Sequence, residues 1–316
     1  MRREWSVAIA NAALAIVLAL VAPSYFSAGN LRDLFLVNMP GLVVAIGTTL
    51  VIVAGEIDIS VGSAFAVCGV VAGVAAKTGM PVAAAGVVAC LAGAVLGALN
   101  GALVAYARIP SIVVTLAAMV ALRDGLRWTT QGAWVEDLPA RFQRLGLTQA
   151  SFPIATGCGV ATLVLAIAWG MRNLSAGRRV YATGSNVEAA RLASIDTAFV
   201  KLSVFTVAGA LTGLAALLNS VRFNQIPSNT GLGLEMKVIA SVVVGGAAIT
   251  GGRGTFTGTV LGVILLGAIG PALTFLGVSA QWERAMQGAI ILTAVTIDAA
   301  RAHRAARVAT GAVSTG

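Results

Sequence analysis

Phe35 to Ala54 is a 20-residue run without one charged side chain. At about 1.5 Å per residue a helix of that length covers about 30 Å, the hydrocarbon thickness of a bilayer. Comparable apolar runs recur along the chain: Trp5–Ala22, Val61–Ala76, Pro81–Ala105, Ser111–Leu122, Pro153–Met171, Leu202–Leu218, Met236–Ile249, Thr255–Leu276 and Ala285–Ala299. Only 10% of the 316 residues are charged, where a soluble domain carries about 25%. The pattern predicts an all-α polytopic membrane protein of about ten transmembrane helices, with residues 1–316 forming a single transmembrane domain. Trp5–Ala22 follows a short basic head, as a secretory signal does, but is long for a signal core and reads as an uncleaved first span.

The net charge of +9 would point to nucleic acid in a soluble chain. In a membrane chain, Lys and Arg at helix ends set topology and touch anionic lipid, so lipid is the expected partner and nucleic acid is not. Many of the 37 glycines lie inside apolar runs. Gly93, Gly97 and Gly101 share one face of the Pro81–Ala105 run, a small-xxx-small series that should seat another helix at close range. Cys68, Cys90 and Cys158 are scattered in or beside apolar segments, without disulfide or metal spacing, and read as small hydrophobes. His303, the single histidine, lies in a basic tail (300–316) with Arg301, Arg304 and Arg307.

Arg172–Lys201 is the one long polar interval in the second half. It holds five of the 21 Lys and Arg residues: Arg172, Arg178, Arg179, Arg191 and Lys201. Asn186–Ile195 within it reads as a short amphipathic helix. An even number of spans puts both termini on one side, and the basic residues of this interval and of the tail make that side the cytoplasm. Met236–Ile249 is too short to cross, about 21 Å as a helix, and reads as a helix that begins inside the bilayer or is broken. Two breaks look alike: VAGEIDISVGS after the second span and VGGAAITGGRGT after the eighth each set a glycine-bounded turn between apolar runs, a faint internal echo.

Chemistry is sparse. No P-loop is present; Lys77-Thr78 comes nearest, but Ala76 stands where the second glycine belongs. No H-E-x-x-H, C-x-x-C or G-x-S-x-G occurs, and the apolar runs hold no converging catalytic set, which disfavours a membrane enzyme. Ion-coupled carriers keep ionisable groups at membrane depth, whereas here those groups cluster at breaks and ends. An engine outside this chain follows, gripping the basic interval from the cytoplasm.

Four motifs carry a resemblance. Gly55-Glu56-Ile57-Asp58-Ile59-Ser60-Val61-Gly62-Ser63 resembles the G-G-I-D-L-S-V-G-S signature of bacterial ABC sugar-importer permeases of the ribose type. Asn100–Val104 with Arg108–Leu116 is similar to that family's N-G-x-L-V and I-P-x-F-I-x-T-L. Tyr181–Asn186 with Glu188–Leu192 resembles Y-A-x-G-x-N-x-x-A-A-R-L. Gly245, Gly246, Gly251, Gly252, Arg253 and Gly254, followed by Gly258-Thr259, resemble G-G-x-x-x-x-G-G-x-G-x-x-x-G-T. Gly277–Ser279 and Asp298 fall in family positions. Each motif alone is weak; together, in order, they span nearly the whole chain.

The resemblance implies an ABC importer permease fold over residues 1–316, in the bacterial inner membrane. It implies a periplasmic sugar-binding protein, a second permease copy (identical or different) and a separate ABC ATPase subunit, which binds the ATP; the permease itself is no enzyme and has no cofactor and no metal. Residues 172–201 become the cytoplasmic coupling loop, with Glu188, Ala189, Ala190, Arg191, Leu192 and Ile195 as the ATPase contact. Gly55, Glu56, Asp58, Ser60 and Gly62, with the glycines from Gly245 to Gly254 and Arg253, become gating elements. Glu56 departs from the family's second glycine and reads as a solvated turn residue, with gating as the alternative. Gly231–Lys237 and Gln131–Pro139 look more like the rhamnose and autoinducer-2 branch than the ribose form. The implied cargo is a monosaccharide or related small polyol. A branched-chain amino-acid ABC permease is the alternative, opposed by the signature at Ile57–Ser63; an integral membrane enzyme or scaffold is the remote one.

Overall fold

The computed structural model describes residues 3–279 and, beyond them, 281–283, 285–289, 292, 293 and 296. The basic tail, Asp298 and the end of the Ala285–Ala299 run lie outside the described residues. Eleven α-helices are named among the described residues: α1 (Arg3–Val21), α2 (Ala28–Val53), α3 (Val61–Lys77), α4 (Val82–Ala105), α5 (Ser111–Thr130), α6 (Ser151–Asn173), α7 (Ser175–Ser185), α8 (Val187–Leu192), α9 (Thr197–Ser220), α10 (Leu234–Val244) and α11 (Phe256–Phe275). The one β-bridge among the described residues is isolated, Val135 to Ile226.

Six of these helices are long and apolar enough to cross a membrane: α1, α2, α4, α6, α9 and α11. The chain is therefore a multi-pass helical membrane protein. The expected number of about ten is larger, because α3 has 17 residues and α10 only 11, and α5 carries Arg123, Asp124 and Arg127. The second span also starts earlier than expected, at Ala28, with Arg32 half-buried and Asp33 exposed near the start of α2.

The polar interval 172–201 is more ordered than the sequence led us to expect. It is not a loop bearing one helix, but the end of α6, all of α7 and α8, and the start of α9. The expected helix 186–195 is shorter. Asn186 is its N-cap, its side chain accepting from Ala189 N at 3.0 Å. Ser194, at φ +60°, ends it, and Asp196 then caps α9 by accepting from Phe199 N at 2.9 Å. Caps of this type are worth about 1 kcal/mol each, and two of them within ten residues explain why so polar a segment folds as two separate helices.

α4 and α9 form the central seam. A Cβ on Gly93 would overlap the carbonyl oxygen of Gly209, and one on Gly97 that of Phe205. The reverse holds from α9, where Gly209 and Gly213 meet the carbonyls of Gly93 and Ala89. The glycine face read from the sequence therefore meets a second one, and the two backbones touch. A second seam joins α10 to α11, with Gly258 against the Gly245 carbonyl and Gly262 against that of Ser241. Around the first seam α2, α3, α9 and α10 bury the main core, including Phe205, Ile46, Ile52 and Val242. α1 and α6 stay peripheral and present Leu20, Leu165 and Trp169 outward, as lipid-facing helices do.

The bundle has two distinct ends. At one, α7 lies against the two glycine breaks and carries α8. At the other, residues 131–150 and 221–233 cross over α3: Val135 and Ile226 exchange backbone hydrogen bonds, and Leu138, Phe142, Phe152 and Ile226 pack together.

Candidate coupling and gating site

Gly55 and Gly251 both take a left-handed backbone, φ +87° and +86°, which turns the chain sharply at the same point in space. A Cβ on Gly251 would stand 2.7 Å from the Gly55 Cα and 2.6 Å from the Gly184 carbonyl oxygen. A Cβ on Gly184 would overlap the Val53 carbonyl and lie 2.7 Å from Gly252 N. Gly252 N donates to Val53 O at 2.9 Å. Three segments distant in sequence therefore meet backbone to backbone: the end of α2, the last turn of α7, and the turn between α10 and α11. The two echoing breaks touch each other, and α7 wedges against both.

Tyr181 reinforces the junction. Its hydroxyl donates to Gly254 O at 2.9 Å, and burial pushes the phenol above its usual pKa, so it remains a donor. Gly254 is closely packed, 2.8 Å in prospect from Val53 Cγ2. Gly245 and Gly246 lie one turn further in, where Gly246 reverses the chain at φ +104°. Arg253 is exposed, and its carbonyl accepts from Ala248 N at 2.9 Å.

Beyond Gly55 the chain runs through Ile59 without regular secondary structure before α3 begins. Each part of that run is held. Ile57 N donates to Ser111 Oγ at 3.2 Å and Ile57 O accepts from Thr115 Oγ1, both on α5. Asp58 is 4% exposed and accepts from Ser60 N at 2.8 Å and from Ser60 Oγ at 2.6 Å; Asn100 on α4 donates to Ser60 Oγ at 2.9 Å. Glu56 corrects the sequence reading. It is no solvated turn residue, because it pairs with Lys201 on α9 with side chains 12% and 20% exposed. Lys201 supplies the charge that lets a carboxylate stand where the family pattern has glycine. Gly62 lies apart from the junction, where the Glu235 carboxylate occupies the space a side chain would need.

α8 projects from the junction. Ala190 is buried, whereas Glu188, Ala189 and Arg191 are exposed and Leu192 is 89% exposed. Arg191 pairs with Glu188 at 2.9 Å within the helix; such an exposed pair adds little stability. Ile195 lies beyond the helix, half-buried against the core. Tyr181, Gly184 and Asn100 stood inside the quoted motifs, but their contacts are made across 40 to 131 residues of sequence, which no local pattern encodes. Lys201 and Glu235 carried no signal of their pairing.

A family model described as "Branched-chain amino acid transport system / permease component" matches residues 30–295. The chain is 36% identical over 297 residues to the autoinducer 2 import system permease protein LsrC of Yersinia pseudotuberculosis serotype O:1b (strain IP 31758), covering 94% of this chain and 84% of that protein. The same identity and coverage relate it to the protein of that name from Yersinia pestis (strain Pestoides F). These relatives agree with the autoinducer-2 resemblance read from Gln131–Pro139 and Gly231–Lys237. No solved structure matches the chain. With the family model covering all but the two ends, the chain belongs to the transport-system permease components that the model describes.

Proposed function

We propose that this chain is the membrane subunit of an ATP-binding-cassette importer that moves a small hydroxylated solute, of the autoinducer-2 or monosaccharide kind, from a periplasmic binding protein into the cytoplasm. The observation that carries the reading is the Gly184 junction. It joins an exposed docking helix to both breaks in the bundle, as force transmission from an external engine requires. α8 is the ATPase contact, with Leu192 and Arg191 outward. A short helix fixed through α7 passes a push on to the Gly55 and Gly251 turns with no side chain between them to yield. ATP is bound and hydrolysed on the ATPase subunit, and this chain needs no cofactor.

Ten crossings complete the permease, with α3, α5, α10 and the 285–299 run added to the six long helices. Residues 172–201 and both termini then face the cytoplasm of a bacterial inner membrane, as their basic residues favour. A second permease copy, identical or different, forms the other half of the pathway. The alternative cargo, a branched-chain amino acid, has the family description in its favour, whereas the 36%-identical relatives support the hydroxylated solute.

Proteoliposomes holding this chain with its ATPase and binding protein should accumulate autoinducer-2 or a monosaccharide and not leucine. Arg191→Glu should abolish ATPase docking. Leucine uptake alone, or normal docking of the Arg191→Glu protein, would refute the corresponding part of the proposal.

A further inference from the structure

Three arginines converge at the end of the bundle away from α7. Arg32 on α2, Arg144 in the loop before α6 and Arg222 just past α9 line a cleft of about 340 Å³, and Asp33 is the one acidic residue lining it with them. The ion pairs among the described residues lie elsewhere. Arg32 Nη2 donates to Gln149 O. Arg222 is half-buried, its guanidinium 5.2 Å from the centre of the Phe223 ring. Burial lowers its pKa more than the neighbouring Asp33 raises it. Three guanidinium groups against one carboxylate leave a surplus of positive charge that an anion would offset.

The fold holds this arrangement against a cost. Arg144 and Leu145 stand at φ +51° and +57°, and side chains in that left-handed region persist only where their surroundings hold them. Arg144 N donates to Val221 O at 2.6 Å, which ties its turn to the end of α9 and brings Arg144 to the same cleft as Arg222. The level of the cleft says which anion it fits. α2 has 26 residues, about 39 Å as a helix and about 9 Å more than the hydrocarbon thickness. Arg32 and Asp33, in its second turn, take up that excess and stand at headgroup level. Apolar surface continues inward from them. Phe35, three residues beyond Arg32, is 38% exposed, and its ring lies against α6 at Gly157, whose would-be Cβ is 2.7 Å from Phe35 Cζ. Ile154, in the first turn of the lipid-facing α6, is 69% exposed.

We infer that this cleft holds the phosphate of an anionic phospholipid, whose acyl chains lie along Phe35 and Ile154. Guanidinium forks match a phosphodiester, which accepts from them in pairs. An acidic loop of a partner protein would meet the same charges but leave the apolar surface beside them uncovered, as would inorganic phosphate. The lipid joins α2, the Arg144 turn and the end of α9, three pieces otherwise linked here by few polar contacts. The general lipid contact expected of basic helix ends thereby becomes one defined site. It stands whichever solute the chain carries.

The test is native mass spectrometry of the purified full-length chain, delipidated in detergent and titrated with phosphatidylglycerol, with phosphatidylethanolamine of the same acyl chains, or with inorganic phosphate. Wild type should retain one phosphatidylglycerol in preference to phosphatidylethanolamine by about tenfold, because the surplus charge favours the headgroup that is net negative. Arg144→Gln and Arg222→Gln should each lower that retention about tenfold. Arg141→Gln, exposed at the same end but outside the cleft, should leave it unchanged. Asp33→Asn should raise it, a gain that misfolding does not mimic. Should Arg222→Gln fail to fold, Arg144→Gln and Asp33→Asn decide the matter. Equal retention of the two lipids by wild type, or an equal loss in Arg141→Gln, overturns the assignment. Displacement of the lipid by inorganic phosphate overturns it in favour of a free anion. Lipid retention unchanged in the arginine variants, with association of the importer's binding protein lost, overturns it in favour of a protein carboxylate and leaves the proposed function standing.

Discussion

Replacing Gly184 by alanine separates helix propensity from packing. In an isolated helix the change favours α7 by about 0.5–1 kcal/mol. In this bundle the added methyl overlaps the Val53 carbonyl and comes within 2.7 Å of Gly252 N. Both are backbone atoms, so no side-chain rotation relieves the contact. The Gly252 N–Val53 O hydrogen bond at 2.9 Å must open. Leaving buried partners unpaired costs about 1–3 kcal/mol, and the overpacking costs about 1–3 kcal/mol more. The net expectation is on the order of 1–5 kcal/mol against the closed junction, after the propensity gain. The assay is uptake per ATP hydrolysed in proteoliposomes, read beside thermal unfolding of the purified complex. The Gly184→Ala complex should assemble and turn over ATP while moving at least about tenfold less solute per ATP, the effect of 1.4 kcal/mol. A variant that is more stable than wild type and fully coupled would show that the junction is incidental.

Lys201→Met should strand the Glu56 carboxylate in a site where it is 12% exposed, at a cost of about 1–3 kcal/mol or more. Adding Glu56→Gly, which restores the family pattern, should recover most of the loss in Tm. Gly97→Ile should be severe, because the side chain would enter the Phe205 backbone across the α4–α9 seam; expected is loss of monodisperse complex on size exclusion, whereas Gly125→Ala on α5, with no neighbour within 4 Å of its would-be Cβ, should elute normally.

The membrane class and most helices were legible because each apolar run is its own signal: an 18-residue stretch without charge has few alternatives in water or lipid. The α4 glycine face was legible for the same reason, its spacing alone marking a contact. α7 was not. Ser175–Ser185 is polar, with Arg178 and Arg179 mid-helix, and what holds it is the Gly177 and Gly184 backbone contacts with Met171 and Val53, set by tertiary packing. Glu56 was misread because a carboxylate in a glycine-rich turn is ordinarily solvated, and its partner Lys201 lies 145 residues later. The motifs located the junction, but only the fold showed that its three pieces are one.

The α4–α9 seam has a mechanical consequence. Side chains interleaved between helices act as a compliant layer, able to change rotamer while the axes slide. Between Gly93, Gly97, Gly209 and Gly213 there is no such layer. The two helices constitute a single stiff beam, and only four residues separate the end of α8 from the start of α9. A displacement at α8 should therefore tilt the beam as a unit and not slide one helix past the other.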